Sequence, residues 1–329
     1  MKTTPIKSYP GYGTFWTIVP TVLHDLRPSV LRHSTPFQWA VEDPKVGRVP
    51  LSGHLDRPEG PTDTLCVLVH GLGGGAESGY LRYAAKTLTE SGIATLRVGL
   101  RGTNGEAPDF YHAQLTVDLH AALAHPALAS YTRIFVAGFS LGGQMTLSLA
   151  TESVDERVVA VAAVCPPLDL AAAQQHLDGQ RFSVFRPYVI KRMRGQYRRI
   201  CEVAQARGVE LPLALSDIHL IRSVYAFDEH VVVPRYGFGS VSRYYAEASV
   251  GPRLGALRVP TLIVATPHDP MVPFDSLQPF LEHPPPQLTV RVTQGGHVGF
   301  PRRLDLGMDA PLGLIDQIIG WFETVSPIP

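Results

Sequence analysis

Three short stretches of the 329-residue chain carry side chains that could act on one another: GFSLGG at 138–143, HDPMVP at 268–273 and GGHVGF at 295–300. They supply Ser140, Asp269 and His297. A serine hydroxyl is a weak nucleophile at neutral pH. It needs an imidazole to take its proton, and the imidazole needs a carboxylate to hold its tautomer and stabilise its cation. Such a trio performs acyl transfer through a covalent serine ester. GFSLGG has the form G-x-S-x-G, where Gly138 and Gly142 let the turn pass close to the adjoining strand and helix. Alone, the pentapeptide has a second reading, an ordinary tight βα turn that contains a serine, so its surroundings must decide.

Those surroundings are a strand handing over to a helix. The apolar run RIFVAGFS (133–140) leads in and LGGQMTLSLATES (141–153) follows. Similar runs occur at TLCVLVHG (64–71), ATLRVGLRG (94–102), VVAVAAVCP (158–166), PTLIVATP (260–267) and LTVRVTQGG (288–296). Most are nearly continuous in apolar residues, the pattern of strands buried on both faces. Helical stretches lie between the earlier ones at 80–91 and 114–128, and PLGLIDQIIGWFETV closes the chain with Asp309 as predicted cap and Pro311 in the first turn. This alternation predicts an α/β fold with a mostly parallel central sheet and helices on both faces.

On that architecture the order should be serine, acid, histidine, each after a later strand. Asp269 follows PTLIVATP and His297 follows LTVRVTQGG. Asp275 and Asp228 are rival acids. His268 precedes the final strand, which breaks the order, and is assigned to packing of its loop. The oxyanion of an acyl-transfer reaction needs two backbone N–H groups, one after the serine and one from the loop after the first long strand. These are predicted at Leu141 and, within HGLGGG (70–75), at Leu72. HGLGGG lacks the spacing and K-[ST] ending of a phosphate loop. His70 is read as a structural hydrogen-bonder.

The chain divides into an N-terminal segment with antiparallel edge strands (1–60, strand candidates near 37–42 and 49–56), a first core part (61–166), a helical cap insertion (167–255) and a second core part (256–329). The insertion, about ninety residues, is too long for a loop between core strands. Within it, Ile190, Met193, Tyr197 and Ile200 recur at helical spacing, with Lys191, Arg192, Arg194, Arg198 and Arg199 between them. Two readings are open: weak contact with anionic lipid or acidic substrates through 190–200, or an apolar stripe packed on the core with its charges solvated, the ordinary outcome. Phe139, Tyr225, Phe227, Tyr236, Phe238, Tyr244 and Tyr245 are acyl-pocket candidates, most of them better read as packing.

Lysine plus arginine equals aspartate plus glutamate at 29 each, so no whole-chain field draws in nucleic acid or membrane. Cys66, Cys165 and Cys201 fit no disulfide framework or zinc spacing and read as buried free thiols. The N-terminus has no continuous apolar signal region, and FWTIVPTVL (15–23), broken by Pro20, falls short of the roughly 20 residues of a spanning helix. The expectation is a cytoplasmic protein that needs no metal or cofactor and acts on a small-molecule acyl ester.

The HG loop, GFSLG, the DP pair and GGHVGF together resemble the α/β-hydrolases. SGYLRYAAKTLTESGIATLRVGLRG (78–102), DFYHA (109–113) and FDEHVVVPRYGFGSVSRYYAEAS (227–249) narrow the likeness to the YheT-like branch. The resemblance spans roughly 38 to 324. It implies the α/β-hydrolase fold, a helical cap after the sixth strand, Ser140, Asp269 and His297 as a catalytic triad, and carboxylic ester hydrolysis. Some relatives act on phospholipid acyl chains, often with an N-terminal membrane anchor, for which this N-terminus shows no sequence. An acyltransferase using the same acyl-enzyme and a non-catalytic ligand-binding scaffold are the other functions open. The resemblance also favours a cap–core contact for Asp228, Glu229 and His230 over a metal site or second dyad.

Overall fold

A strand with apolar side chains on both faces must be covered from both sides, and the central strands of this chain are. In the computed structural model, which describes residues 11–179 and 184–326, the strands are β1 (Ser34–Asp43), β2 (Gly47–Asp56), β3 (Thr64–Val69), β4 (Ala94–Val98), β5 (Arg133–Phe139), β6 (Val158–Val164), β7 (Thr261–Ala265) and β8 (Leu288–Val292). They form one sheet in the order β1-β2-β4-β3-β5-β6-β7-β8. Pairing is antiparallel between β1 and β2 and between β2 and β4, and parallel from β4 through to β8.

Every residue of β3, β4, β5 and β7 is buried. Side chains alternate between two apolar layers, as the strand repeat requires. Leu65, Val67 and Val69 face one layer; Cys66 and Leu68 face the other. The helices are α1 (Tyr12–Leu26), α2 (Gly79–Glu90), α3 (Val117–Leu123), α4 (Leu141–Thr151), α5 (Leu170–Gly179) and α6 (Phe185–Arg207), then several helices of four to eight residues and a last helix, Leu314–Val325. α4 covers the first layer. α2 and the last helix cover the second, where Phe322 stacks on Phe135 with centroids 4.2 Å apart. Cys66, Cys165 and Cys201 are buried free thiols.

Two elements depart from the sequence reading. The N-terminal segment contributes a helix as well as edge strands, with Pro20 inside it. Proline has no N–H to give the carbonyl four residues earlier. That carbonyl, of Trp16, faces Gly299, where a side chain would collide with it. Among the described residues no helix is long and apolar enough to cross a membrane. The last helix begins at Leu314, with Gly313 before it, so Asp309 is not its cap. The reason is Gln317. Its buried side chain accepts from the amides of Leu306 and Met308 and donates to the carbonyls of Met308, Ala310 and Pro311, so the preceding loop wraps around it.

Between β6 and β7 the described residues form only helices and turns around an apolar centre that includes Met193, Tyr197, Ile200, Phe227 and Val231. Besides apolar packing, part of its link to the sheet is ionic. Arg235 reaches Asp109 at 2.7 Å and Asp43 at 2.8 Å, and Asp109 is shared with Arg101 at 2.7 Å. The acidic cluster seven residues upstream does not provide this link. Asp228 accepts from the Tyr245 hydroxyl at 2.6 Å, inside the same insertion, and Glu229 faces His230 at 3.7 Å.

Burial pushes the Asp228 carboxyl from its ordinary value of 3.8 to about 7, against the pull of the Tyr245 hydrogen bond. The unfolded chain ionises near its ordinary value while the folded chain keeps the proton, so this group's contribution falls as pH rises from about 4 to 7. Asp228→Asn keeps an acceptor for Tyr245 and removes the charge. Its urea midpoint should exceed the parent's at pH 8 and lie near it at pH 4.

Candidate active site

The site is built where β5 ends. Ser140 has φ 55° and ψ −124°, a conformation that costs an L-residue about 1–3 kcal/mol. Backbone bonds on both sides hold it: its N–H donates to Val164 O at 2.8 Å and its carbonyl accepts from Gln144 N at 3.0 Å. The glycines explain the rest. A Cβ on Gly138 would strike the Gly142 carbonyl and the Thr146 hydroxyl, and one on Gly142 would strike the carbonyls of Val69 and His70. α4 begins at the next residue, so its first N–H groups and the positive end of its dipole lie beside the hydroxyl.

His297 follows β8. Its Nε2 lies 2.7 Å from Ser140 Oγ, and its Nδ1–H donates to Asp269 Oδ2 at 2.7 Å. The other oxygen of Asp269 accepts the amides of Met271 at 2.8 Å and Val272 at 3.0 Å. Asp269 and His297 are buried, while Ser140 is half-buried and opens to a cavity. The three residues named from the sequence therefore form one hydrogen-bonded line. The rival acids stand apart: Asp275 is exposed on a short turn after β7, and Asp228 is in the insertion. His268 packs edge-on against Tyr12, with ring centroids 6.0 Å apart.

The loop after β3 is ordered by its own polar groups. His70 is buried, which lowers its pKa to about 4; the neutral ring donates from Nδ1 to Gly71 O at 2.8 Å and accepts Leu100 N–H on Nε2 at 3.2 Å. The amides of Gly71, Gly73, Gly74 and Gly75 donate respectively to Tyr80 Oη, Tyr111 Oη, Gly71 O and Ser78 Oγ. Among the described residues, the amides of Leu72 and Leu141 have no acceptor. A Cβ on Gly71 would lie 3.0 Å from the Ser140 Cβ, so this loop and the serine meet closely.

Three parts of the site escaped the sequence reading. The first is Thr17 of α1, whose hydroxyl accepts His297 N–H at 2.8 Å and donates to Gly13 O at 2.7 Å. Gly296 and Gly299 allow α1 this close, since side chains there would meet Thr17 and Trp16. Small residues four apart, Gly13 and Thr17, were the only available signal. The second is Cys165, at the end of β6 with φ 48°. Its sulfur and the polar atoms of Asp269 and His297 lie within 4.8 Å of one another. Burial and the Asp269 carboxylate push its thiol well above the ordinary range, and it is 3.7 Å from Gly296 O, as a donor.

The third is the cavity over Ser140, about 910 Å³ in volume. Its aromatic lining is Tyr80, Phe185 and Tyr188; none of the seven aromatics singled out from the sequence lines it. From above, α6 sends Arg192 Nε to Gly73 O at 2.6 Å and Gln196 Nε2 to Gly74 O at 2.7 Å.

With this geometry in hand, comparison with known proteins is consistent. The Alpha/beta hydrolase family matches residues 66–306. The Escherichia coli protein YheT, whose name includes the word esterase, is 27% identical over 293 residues, 84% of this chain and 83% of that protein. The Saccharomyces cerevisiae medium-chain fatty acid ethyl ester synthase/esterase 2 is 26% identical over 262 residues, 72% of this chain and 58% of that protein. Among solved structures, the Pyrococcus furiosus esterase Pf2001 superposes with TM-score 0.53 at 16% identity, covering 82% of this chain and 90% of that one. At that identity the likeness is one of fold.

Thr17→Val keeps the shape of the side chain and leaves the buried His297 amide without its acceptor. Denaturant unfolding should show a loss of about 1–3 kcal/mol, the cost of an unsatisfied buried donor.

Proposed function

Because the chain belongs to the α/β-hydrolase family, we propose that it is a serine-dependent carboxylic ester hydrolase acting through an acyl-enzyme. The observation that carries this reading is the 2.7 Å contact on each side of the His297 ring, with Ser140 on one nitrogen and Asp269 on the other. In this reading the substrate carbonyl sits with its oxygen on the amides of Leu72 and Leu141. His297 Nε2 takes the hydroxyl proton as Ser140 Oγ attacks, and Asp269 stabilises the imidazolium. The tetrahedral oxyanion collapses, the C–O bond to the alcohol breaks, and His297 returns the proton to the leaving oxygen. Water then repeats the cycle on the acyl-serine and releases the acid.

Electrostatics support this division of roles. Each oxyanion donor in such a site contributes about 3 kcal/mol, roughly a hundredfold in turnover. The Asp269 carboxylate is engaged by His297 and two amides, which supports an orienting role. Ser140→Ala should abolish turnover of acyl-p-nitrophenol esters down to the residual rate of binding and oxyanion stabilisation. A fluorophosphonate probe should label the parent and not the variant; an unlabelled parent under every condition would remove the reading.

A second acceptor is suggested by the name of the yeast relative, which includes ester synthase as well as esterase. An alcohol can replace water in the second half of the cycle without any change in the residues involved. Methanol or glycerol added to a turnover assay is expected to divert acyl groups into new ester. A product ratio no higher than the molar ratio of alcohol to water would assign the chain to hydrolysis alone.

A further inference from the structure

The face of α6 that lines the cavity is graded along its length. Phe185, Tyr188, Val189, Arg192, Gln196 and Arg199 recur at steps of three and four, so they share one side of the helix, and all line the cavity. The N-terminal two turns are apolar and the next two are cationic or polar, over about 21 Å of helix axis. Arg192 and Gln196 hold the loop that touches Ser140. The hydroxyl therefore stands opposite the middle of this gradient, with an apolar arm towards Phe185 and a cationic arm towards Arg199. The wall facing the cationic arm is polar, from Ser52, Thr103 and Asn104.

Among the described residues, Arg192 and Arg199 in that arm face no carboxylate within salt-bridge distance. α6 carries seven basic residues (Arg186, Lys191, Arg192, Arg194, Arg198, Arg199, Arg207) against one acid, Glu202, in a chain with no net charge. Arginines of the core face carboxylates: Arg97 meets Asp56, Arg101 meets Asp109 and Asp118, and Arg235 meets Asp109. On α6, Arg186 lies 3.7 Å from Asp178, while the arginines further along are held differently. Arg192 donates to the neutral carbonyl of Gly73 and Arg194 to that of Ile221. Arg199 is exposed and lies over Gly105, its Cδ 3.6 Å from where a Cβ would stand. Among the described residues, the one carboxylate lining the cavity, Glu77, is already engaged by Arg97, Arg82 and His54.

Resting on the ester-hydrolase reading, we propose that the substrate is an amphiphilic ester whose alcohol carries an anionic group, a carboxylate or a phosphate, and that Arg199, with Arg192, receives that group. The acyl chain stays bonded to Ser140 while water attacks, which suits the apolar arm beside Phe185, Tyr188 and Val189. The alcohol departs, which suits the polar arm. Arg199 is a specificity residue in this assignment, about 10 Å along the helix from Arg192.

Paired substrates test it. The kcat/KM ratio is measured for 4-carboxyphenyl decanoate over phenyl decanoate, and for monodecanoylglycerol phosphate over monodecanoylglycerol, so that carboxylate and phosphate are separated. Arg199→Gln should lower one or both ratios about tenfold, the scale of a lost charge-assisted contact. Arg199→Lys should retain most of the preference, and added salt should lower the parent's ratio. Ratios equal in the parent and Arg199→Gln, and insensitive to salt, would overturn the assignment. A preference shown instead by decyl hydrogen succinate over decyl butyrate would place the anion on the acyl side and overturn it too. Binding to Ser140→Ala needs no turnover: decyl phosphate should bind more tightly than decanol, and Arg199→Gln added to that background should remove the difference. If binding behaves so while no ester of any pair is cleaved, the anion site stands and the esterase reading falls.

Discussion

Everything at the site depends on one residue being held where L-amino acids rarely sit. Ser140 at φ 55° aims its hydroxyl out of the sheet end instead of into the first turn of α4. That posture is not intrinsic to the residue and must be imposed by its surroundings. β5 lies between β3 and β6. β6 supplies the carbonyl that takes the Ser140 amide, and the end of β3 supplies the carbonyls that press against Gly142. The elbow is thus wedged between two strands, and the same central position brings the loops after β7 and β8 to its other side. A parallel sheet delivers all of these loops to one edge, so strand order alone gathers residues 28 and 157 positions apart in sequence.

This explains what could be read from the sequence and what could not. Buried strands announce themselves as unbroken apolar runs, and the residue types after each run announce the chemistry, so Ser140, Asp269 and His297 were legible together. The bracing of His297 was not. α1 meets the histidine loop through a hydroxyl, two carbonyls and glycines, which leave no apolar periodicity to read, and Pro20 looks like a break. The last helix was placed too early for a related reason. Asp309 and Pro311 have the right types for a helix start, yet the loop from Leu306 to Pro311 is committed to the side chain of Gln317, which lies further along.

α6 shows a subtler limit. Its apolar stripe through Ile190, Met193, Tyr197 and Ile200 is buried, as the packed reading held. A helix has more than one face, however. Among the charged positions interleaved with that stripe, Arg192 bonds the loop beside Ser140 and does not belong to a purely solvated surface, and Gln196, a position the charge pattern does not mark, bonds it too. Spacing identifies which residues share a face; it does not reveal what stands opposite until the insertion is folded over the sheet. The ionic anchor has the same character. Arg235 and Asp109 are 126 positions apart, and neither is marked by its neighbours as a partner for the other.

These contacts make the insertion part of the site's geometry and not merely its roof. Gly73 and Gly74 have their amides tied to Tyr111 and Gly71, and their carbonyls tied to Arg192 and Gln196, so the loop is gripped from the sheet side and from the α6 side at once. Leu72 lies inside that grip with its amide free among the described residues. If α6 moved away, the loop would lose two charged or polar contacts, and the amide would no longer be held in place before substrate arrives. In the proposed mechanism that amide receives the oxyanion, and a donor held in place beforehand need not reorient as charge develops. The buried Arg235–Asp109 pair, costly to break once its partners are desolvated, belongs to the same set of contacts: with the apolar packing and the Arg192 and Gln196 hydrogen bonds, it holds the insertion over the loop that carries the free amide.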